Sequence, residues 1–113
     1  MHELSLAESL IDLAAEECRK LSDVKVRTVR LEIGVLAAVE PDAMRFCFDV
    51  IARGTSLEGA ALDIVTVAGR GRCLACGHEI EIVEWPALCP DCGGVRVEVT
   101  SGKGMRLKEL EVE

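Results

Sequence analysis

Apolar residues at the start of the chain recur at alternating steps of three and four, through Leu4, Ala7, Ile11, Ala14, Cys18 and Leu21. That period puts them on one face of an amphipathic helix. Ser5 and Glu8 fit a capping box, which makes Ser5 the N-cap and leaves Met1 to Leu4 outside the helix with uncommitted backbone nitrogens. From Val24 to Leu36 the period changes to two, with Val29, Leu31, Ile33 and Val35 on one face and Arg30 and Glu32 on the other. Val24 and Val26 are out of phase with that face, so a bulge or a late strand start is expected near Thr28. Pro41 suits the first turn of a second helix whose apolar face is Met44, Cys47, Phe48 and Ile51, and Gly54 can close it. The two helices are expected to pack side by side. Two more strands are predicted, Ala61 to Val67 and Met105 to Val112, the latter shifting phase between Leu107 and Leu110. The fold class is therefore α+β, a small three-stranded sheet with two helices.

Between the last two strands lie Cys73-Leu74-Ala75-Cys76 and Cys89-Pro90-Asp91-Cys92. Two cysteines separated by two residues in a tight turn can aim both sulfurs at one ion, and two facing knuckles complete a tetrahedron. Thiolates select zinc or an iron–sulfur cluster over magnesium or calcium. The even spacing, with Gly77 and Gly93 just after each pair, favours structural zinc in a ribbon-like lobe; a cluster and redox thiols are the alternatives. Redox chemistry would better fit one such pair opening a helix in a βαβ pattern. Gly69-Arg70-Gly71-Arg72 leads into this segment and Ser101-Gly102-Lys103-Gly104 leads out, which predicts two flexible linkers. The expected domains are residues 1–69 with 102–113, and an inserted zinc-ribbon-like lobe at 70–101 carrying short strands at Ile80 to Val83 and Val95 to Val99.

Composition narrows the function. The 113-residue chain is half hydrophobic, enough for one modest core, and its formal net charge is −7. So acidic a balance argues against nucleic-acid binding, and one Trp, two Phe and no Tyr leave few stacking platforms. Arg70, Arg72, Lys103, Arg106 and Lys108 read as solubility and linker chemistry near the lobe junction. Glu79, Glu81 and Glu84 read equally as a solvated face or as a docking surface. Cys18 and Cys47 fall on the apolar helix faces as small hydrophobes. His78 is expected beside zinc rather than on it, because four cysteines already fill the tetrahedron. A disulfide reading needs an oxidising compartment, and neither an apolar signal segment nor a membrane-spanning stretch is apparent, so a cytoplasmic location is expected.

His2 admits two readings. One is a solvated residue in a frayed terminus. The other is a chelate, in which the terminal amine, the His2 backbone nitrogen and its imidazole close contiguous rings around one ion. Tetragonal nitrogen sets suit nickel(II) or copper(II). Neither residue 2 nor residue 3 is proline, so both amides could ionise, and Glu3 offers an amide nitrogen or a carboxylate.

Met1-His2-Glu3-Leu4-Ser5-Leu6, Leu31-Glu32-Ile33-Gly34, Val39-Glu40-Pro41-Asp42-Ala43 and the two cysteine pairs occur in one order along essentially the whole chain. In these the sequence resembles the hydrogenase maturation nickel chaperones of the HypA/HybF family. The resemblance implies a nickel-binding domain and a zinc domain. It makes His2 a nickel ligand, with the Met1 amine and the amide nitrogens of His2 and Glu3, and makes Cys73, Cys76, Cys89 and Cys92 the zinc ligands. Nickel would be transferred cargo, the client the large subunit of nickel–iron hydrogenase, and the partner a HypB-type GTPase. Some members also serve urease, which adds urease maturation proteins to the expected partners, and a homodimer is compatible with the likeness. Neither nucleic acid nor membrane is implied. The sequence departs from relatives that carry a histidine after each cysteine pair: only His78 is present, and Gly94 stands in the corresponding place after Cys92. A symmetric pH-driven switch at zinc is therefore not expected, and His78 is the only candidate for a further nickel ligand from that lobe. The competing function is a zinc-ribbon module that docks protein or nucleic acid with no nickel role. An enzyme is disfavoured, since no nucleophile stands with an identifiable base.

Overall fold

The structure, a computed structural model, describes residues 2–22 and 24–113; the side chain of His2 lies outside the described residues. Helix α1 runs His2–Lys20 and buries Ala7, Leu10, Ile11, Ala14 and Cys18, the predicted face with Leu10 added. Its ends differ from the expectation. Leu4 and Leu21 are exposed, and Ser5 lies inside the helix, which begins four residues earlier than a Ser5 cap would set it. The extra turn has a physical cause. Glu3 places a carboxylate in the first turn, where the helix dipole favours negative charge, and its Oε2 accepts a hydrogen bond from the Glu40 N–H at 3.2 Å.

Strand β1 covers Val26–Gly34, and its buried positions change phase between Val26 and Val29, where the sequence pattern slips. Val35 leaves the strand face. It opens a short 3-10 turn, Val35–Ala37, and is exposed, because the Gly34 N–H turns to the Gly104 carbonyl at 2.7 Å and the Leu36 N–H to Gly102 at 2.8 Å. Helix α2 spans Pro41–Ile51 and buries Met44, Cys47 and Phe48. The Glu40 carboxylate caps it by accepting the Ala43 N–H at 2.7 Å. It stops at Ala52, ahead of Gly54, whose positive φ belongs to the turn that follows. Strands β2, Ala61–Val67, and β6, Met105–Val112, flank β1 in the order β2-β1-β6. Arg30 on the central strand bonds Asp63 and Glu109, each at 2.8 Å, and so ties the three strands across their solvated side.

The chain divides into two units by its contacts. One is Met1–Leu31, Val39–Val65 and Arg106–Glu113; the other is Glu32–Ala38 and Thr66–Met105. The first is organised around Phe48, Leu31, Met44 and Leu57. The second holds a further sheet of β4 (Glu79–Ile82), β3 (Gly69–Cys73) and β5 (Val97–Ser101), in the order β4-β3-β5 with both outer strands antiparallel to β3.

Strand β3 replaces the predicted entry linker. Its glycines are inward positions of a strand: Gly69, Gly71 and Cys73 are buried while Arg70 and Arg72 are exposed. A Cβ on Gly71 would meet Ile82 Cδ1 at 2.6 Å and the Glu98 carbonyl at 2.7 Å, and one on Gly69 would strike the Ile82 carbonyl. Glycine here permits close packing rather than motion. The outward arginines face carboxylates in register, Arg70 opposite Glu81 and Arg72 opposite Glu79 and Glu98, which gives much of the acidic run a cross-strand role. A small core of Cys73, Ile80, Ile82 and Cys89, with Leu36, Ala87, Val97 and Val99 packed on it, completes the unit. Among the described residues no helix is long and apolar enough to cross a membrane.

Candidate metal centre

The two cysteine knuckles are built alike. In the first, the Cys73 carbonyl accepts the Gly77 N–H at 2.8 Å and the Cys73 N–H donates to the His78 carbonyl at 2.9 Å. In the second, Cys89 repeats both bonds, accepting from Gly93 at 2.8 Å and donating to Gly94 at 2.9 Å. Gly77 and Gly93 both take a positive φ, the backbone that lets each chain turn back after its second cysteine. The first cysteine of each pair is buried and the second exposed, so the pairs face each other with one sulfur in the core and one toward solvent.

The sulfurs converge. Cys73 and Cys92 lie 3.6 Å apart, Cys76 and Cys89 3.7 Å, and all four Sγ atoms fall within 4.8 Å of one another. Thiolates about 2.3 Å from zinc at the corners of a tetrahedron are separated by roughly 3.8 Å, so the donor set matches such an ion in number, type and spacing. Gly94 keeps a side chain off this cluster: a Cβ there would lie 3.2 Å from the Cys92 sulfur and 3.6 Å from that of Cys73.

The cluster's electrostatics ask for a cation. Backbone donors at Cys76 and Ala75 hold the Cys73 thiol down at about 6 despite its burial. At Cys76 the backbone N–H of His78 also favours the thiolate, but desolvation and the neighbouring sulfurs of Cys73, Cys89 and Cys92 outweigh it and push the group up to about 12. Cys92 is raised too, its Gly94 backbone bond being overcome by Cys73 and by burial. One sulfur ionises readily and makes the next ionisations unfavourable; a divalent ion removes that conflict.

His78 stays outside the four-sulfur set. Its Nδ1 lies 3.0 Å from Asp91 Oδ2 and 3.5 Å from the Cys76 sulfur, so it joins the first knuckle to the second. Nothing local in the sequence marks Asp91, and only the facing of the knuckles reveals its partner.

The other predicted ligands open α1. His2 and Glu3 occupy its first turn, Met1 and the His2 side chain lie outside the described residues, and the Glu3 carboxylate meets the α2 cap at Glu40. The amide nitrogens of His2, Glu3 and Leu4 therefore lie in the opening turn of a helix.

A family described as hydrogenase/urease nickel incorporation, metallochaperone, hypA matches residues 1–112. The chain is 49% identical over 113 residues to the hydrogenase maturation factor HypA of Albidiferax ferrireducens and 47% identical to that of Methylocella silvestris, covering all of each. It is also similar to the solution structure of the Ni metallochaperone HypA from Helicobacter pylori, with a TM-score of 0.71 and 28% identity over 97% of this chain and 96% of that one. A second solution structure of a HypA protein gives a TM-score of 0.74 at 30% identity over 100% and 97%. These likenesses disfavour a zinc-ribbon docking module without a nickel role. With an α+β fold of two helices and small sheets, a clustered four-cysteine site and a match over nearly its whole length, the chain belongs to the HypA family of nickel-incorporation metallochaperones for hydrogenase maturation.

Proposed function

We propose that nickel(II) is bound as cargo by the Met1 amine, the His2 imidazole and the amide nitrogens of His2 and Glu3, while Cys73, Cys76, Cys89 and Cys92 hold a resident structural zinc. The first unit is then the nickel-binding domain and the second the zinc-binding domain. The observation that carries the nickel reading is the start of α1 at His2, which puts the backbone nitrogens of His2 and Glu3 in the opening turn of a helix, the part of the element that unwinds at least cost.

The chemistry follows from that position. A helix N-terminus disfavours a cation, so the ion gains a foothold only as the amine, imidazole and amides lose protons and supply compensating negative charge. A tetragonal nitrogen set also requires His2 and Glu3 to leave helical geometry. Unwinding one terminal turn costs little compared with opening a buried element. Reprotonation reverses both steps, and the ion becomes available for transfer. Zinc, by contrast, neutralises crowded thiolates and fastens two knuckles that share a small core.

The client in this reading is the large subunit of nickel–iron hydrogenase, loaded together with a HypB-type GTPase, and urease maturation is a second outlet consistent with the family's description. The protein acts as a carrier rather than an enzyme, since a four-cysteine zinc shell keeps no open position of the kind catalytic zinc needs. Six free cysteines fit a reducing compartment such as the cytoplasm. Nickel titration of untagged protein by calorimetry, with and without His2→Ala, tests the assignment. Unchanged affinity in the variant rules out the terminal site.

A further inference from the structure

The chain's single tryptophan is spent on the surface. Trp85 is 56% exposed, and Val83 at 69% and Leu88 at 65% stand with it on the six-residue crossing from β4 to the second knuckle. Large apolar side chains ordinarily leave water first, so three together in the open ask for a reason. The crossing is held at both ends. Ile82 and Cys89 are each 1% exposed, and Ala87 packs on the core they share. The exposed groups therefore sit on a segment already ordered by a sheet and a metal knuckle, which lowers the cost of binding something there.

Beside them lies a groove of about 260 Å³ lined by Glu81, Val83, Glu84, Pro86 and Leu88. Small-molecule sites usually run from about 300 to 1,000 Å³, so this one suits a side chain or two rather than a metabolite. Its charged lining is entirely acidic. Glu81 and Glu84 make no ion pair among the described residues, and Arg70, which faces Glu81 in register, reaches Glu79 instead at 3.8 Å. Exposed apolar side chains beside two carboxylates that form no ion pair among the described residues favour a hydrophobic anchor carried beside lysine or arginine. The same charge repels anionic lipid, and a second copy of this chain would bring a net −7 of like sign.

We propose that the crossing from Val83 to Leu88 is a docking surface for a short segment of a partner protein, in which an apolar anchor is flanked by basic residues. The assignment does not depend on which ion the chain carries.

Trp85 reports on its own site, because no other tryptophan contributes emission. Full-length zinc-loaded protein is titrated with a synthetic peptide of interspersed leucine and lysine, and with matched peptides carrying glutamate for lysine or serine for leucine. The expected result is a saturable blue shift with the leucine–lysine peptide alone, weakened by added salt. Leu88→Ser and Glu84→Lys, both at exposed positions, should each weaken that binding by about tenfold, with zinc content and melting temperature unchanged. The proposal is overturned by the absence of a saturable shift, by an equal response to the glutamate peptide, or by full affinity in Glu84→Lys. A blue shift that grows with protein concentration alone would assign the surface to self-association and overturn it as well.

Discussion

The cysteine cluster and the opening turn of α1 differ in what supplies their geometry. In the second unit, four backbone hydrogen bonds and two left-handed glycines shape the knuckles that bring the sulfurs to ligand spacing. At the start of α1 the backbone is helical, and the proposed nickel ligands reach a tetragonal arrangement only by abandoning that helix. A site whose ligands are held in closed knuckles lets go slowly. A site that the chain must assemble can also be taken down, which suits an ion meant to move on.

The contrast is broken most severely at the buried sulfurs. Cys89→Ser removes a ligand that is also a core residue, and the second unit's remaining core is small. Structural zinc sites contribute about 10–16 kcal/mol of apparent binding free energy, more than such a core replaces. The variant is expected to lose zinc and its dispersed amide resonances over residues 66–105 while the first unit's resonances persist; full zinc content would refute the assignment.

At the other site the expected losses fall on nickel alone. Removing an outer partner of a metal ligand commonly costs 10–100-fold in affinity, so deleting an imidazole ligand through His2→Ala should cost more than about 100-fold by calorimetry. Zinc content and melting should stay at wild-type values. Residues added before Met1 should weaken nickel comparably by consuming the amine, with every side chain intact. Nickel affinity of the wild type should fall as pH drops through about 6.5, where the imidazole takes up its proton.

What the sequence disclosed, and what it hid, follows the range of each interaction. The faces of both helices, the strands β2 and β6 and the ligand spacing of the cysteines are local patterns, and they emerge with small changes at their ends. The start of α1 is not legible locally because the contact that favours its first turn, Glu3 to Glu40, joins residues 37 apart. Strand β3 was hidden for a different reason: its inward positions are Gly69 and Gly71, and glycine carries no hydrophobic signal. The pairing of His78 with Asp91 exists only after two knuckles have come together.

Strand β3 offers a milder test of how rigid the cysteine side is. Gly71→Ala puts a methyl group against Ile82 and the Glu98 carbonyl, and overpacking of this kind costs about 1–3 kcal/mol. Gly104→Ala meets nothing within 4 Å and should leave stability almost unchanged. If the glycine-rich entry were a flexible linker, the two variants would melt alike. Denaturation of both, followed by resonances of the second unit, separates a strand from a tether.

The smallest expected effect bears on how Glu3 participates. Its carboxylate accepts the Glu40 N–H in an exposed setting, where a hydrogen bond contributes about 0.5–1.5 kcal/mol, and Glu3→Ala should lower the first unit's stability by about that amount. The substitution keeps the backbone nitrogen. Amide ligation therefore predicts that nickel affinity falls far less than in His2→Ala, whereas a carboxylate ligand predicts a comparable loss. The two variants measured side by side, by calorimetry and by the visible absorption of bound nickel, show which atom of Glu3 faces the ion. A carboxylate ligand would also have to give up its bond to the α2 cap, and loading would then be felt at Glu40 as well as in the opening turn of α1.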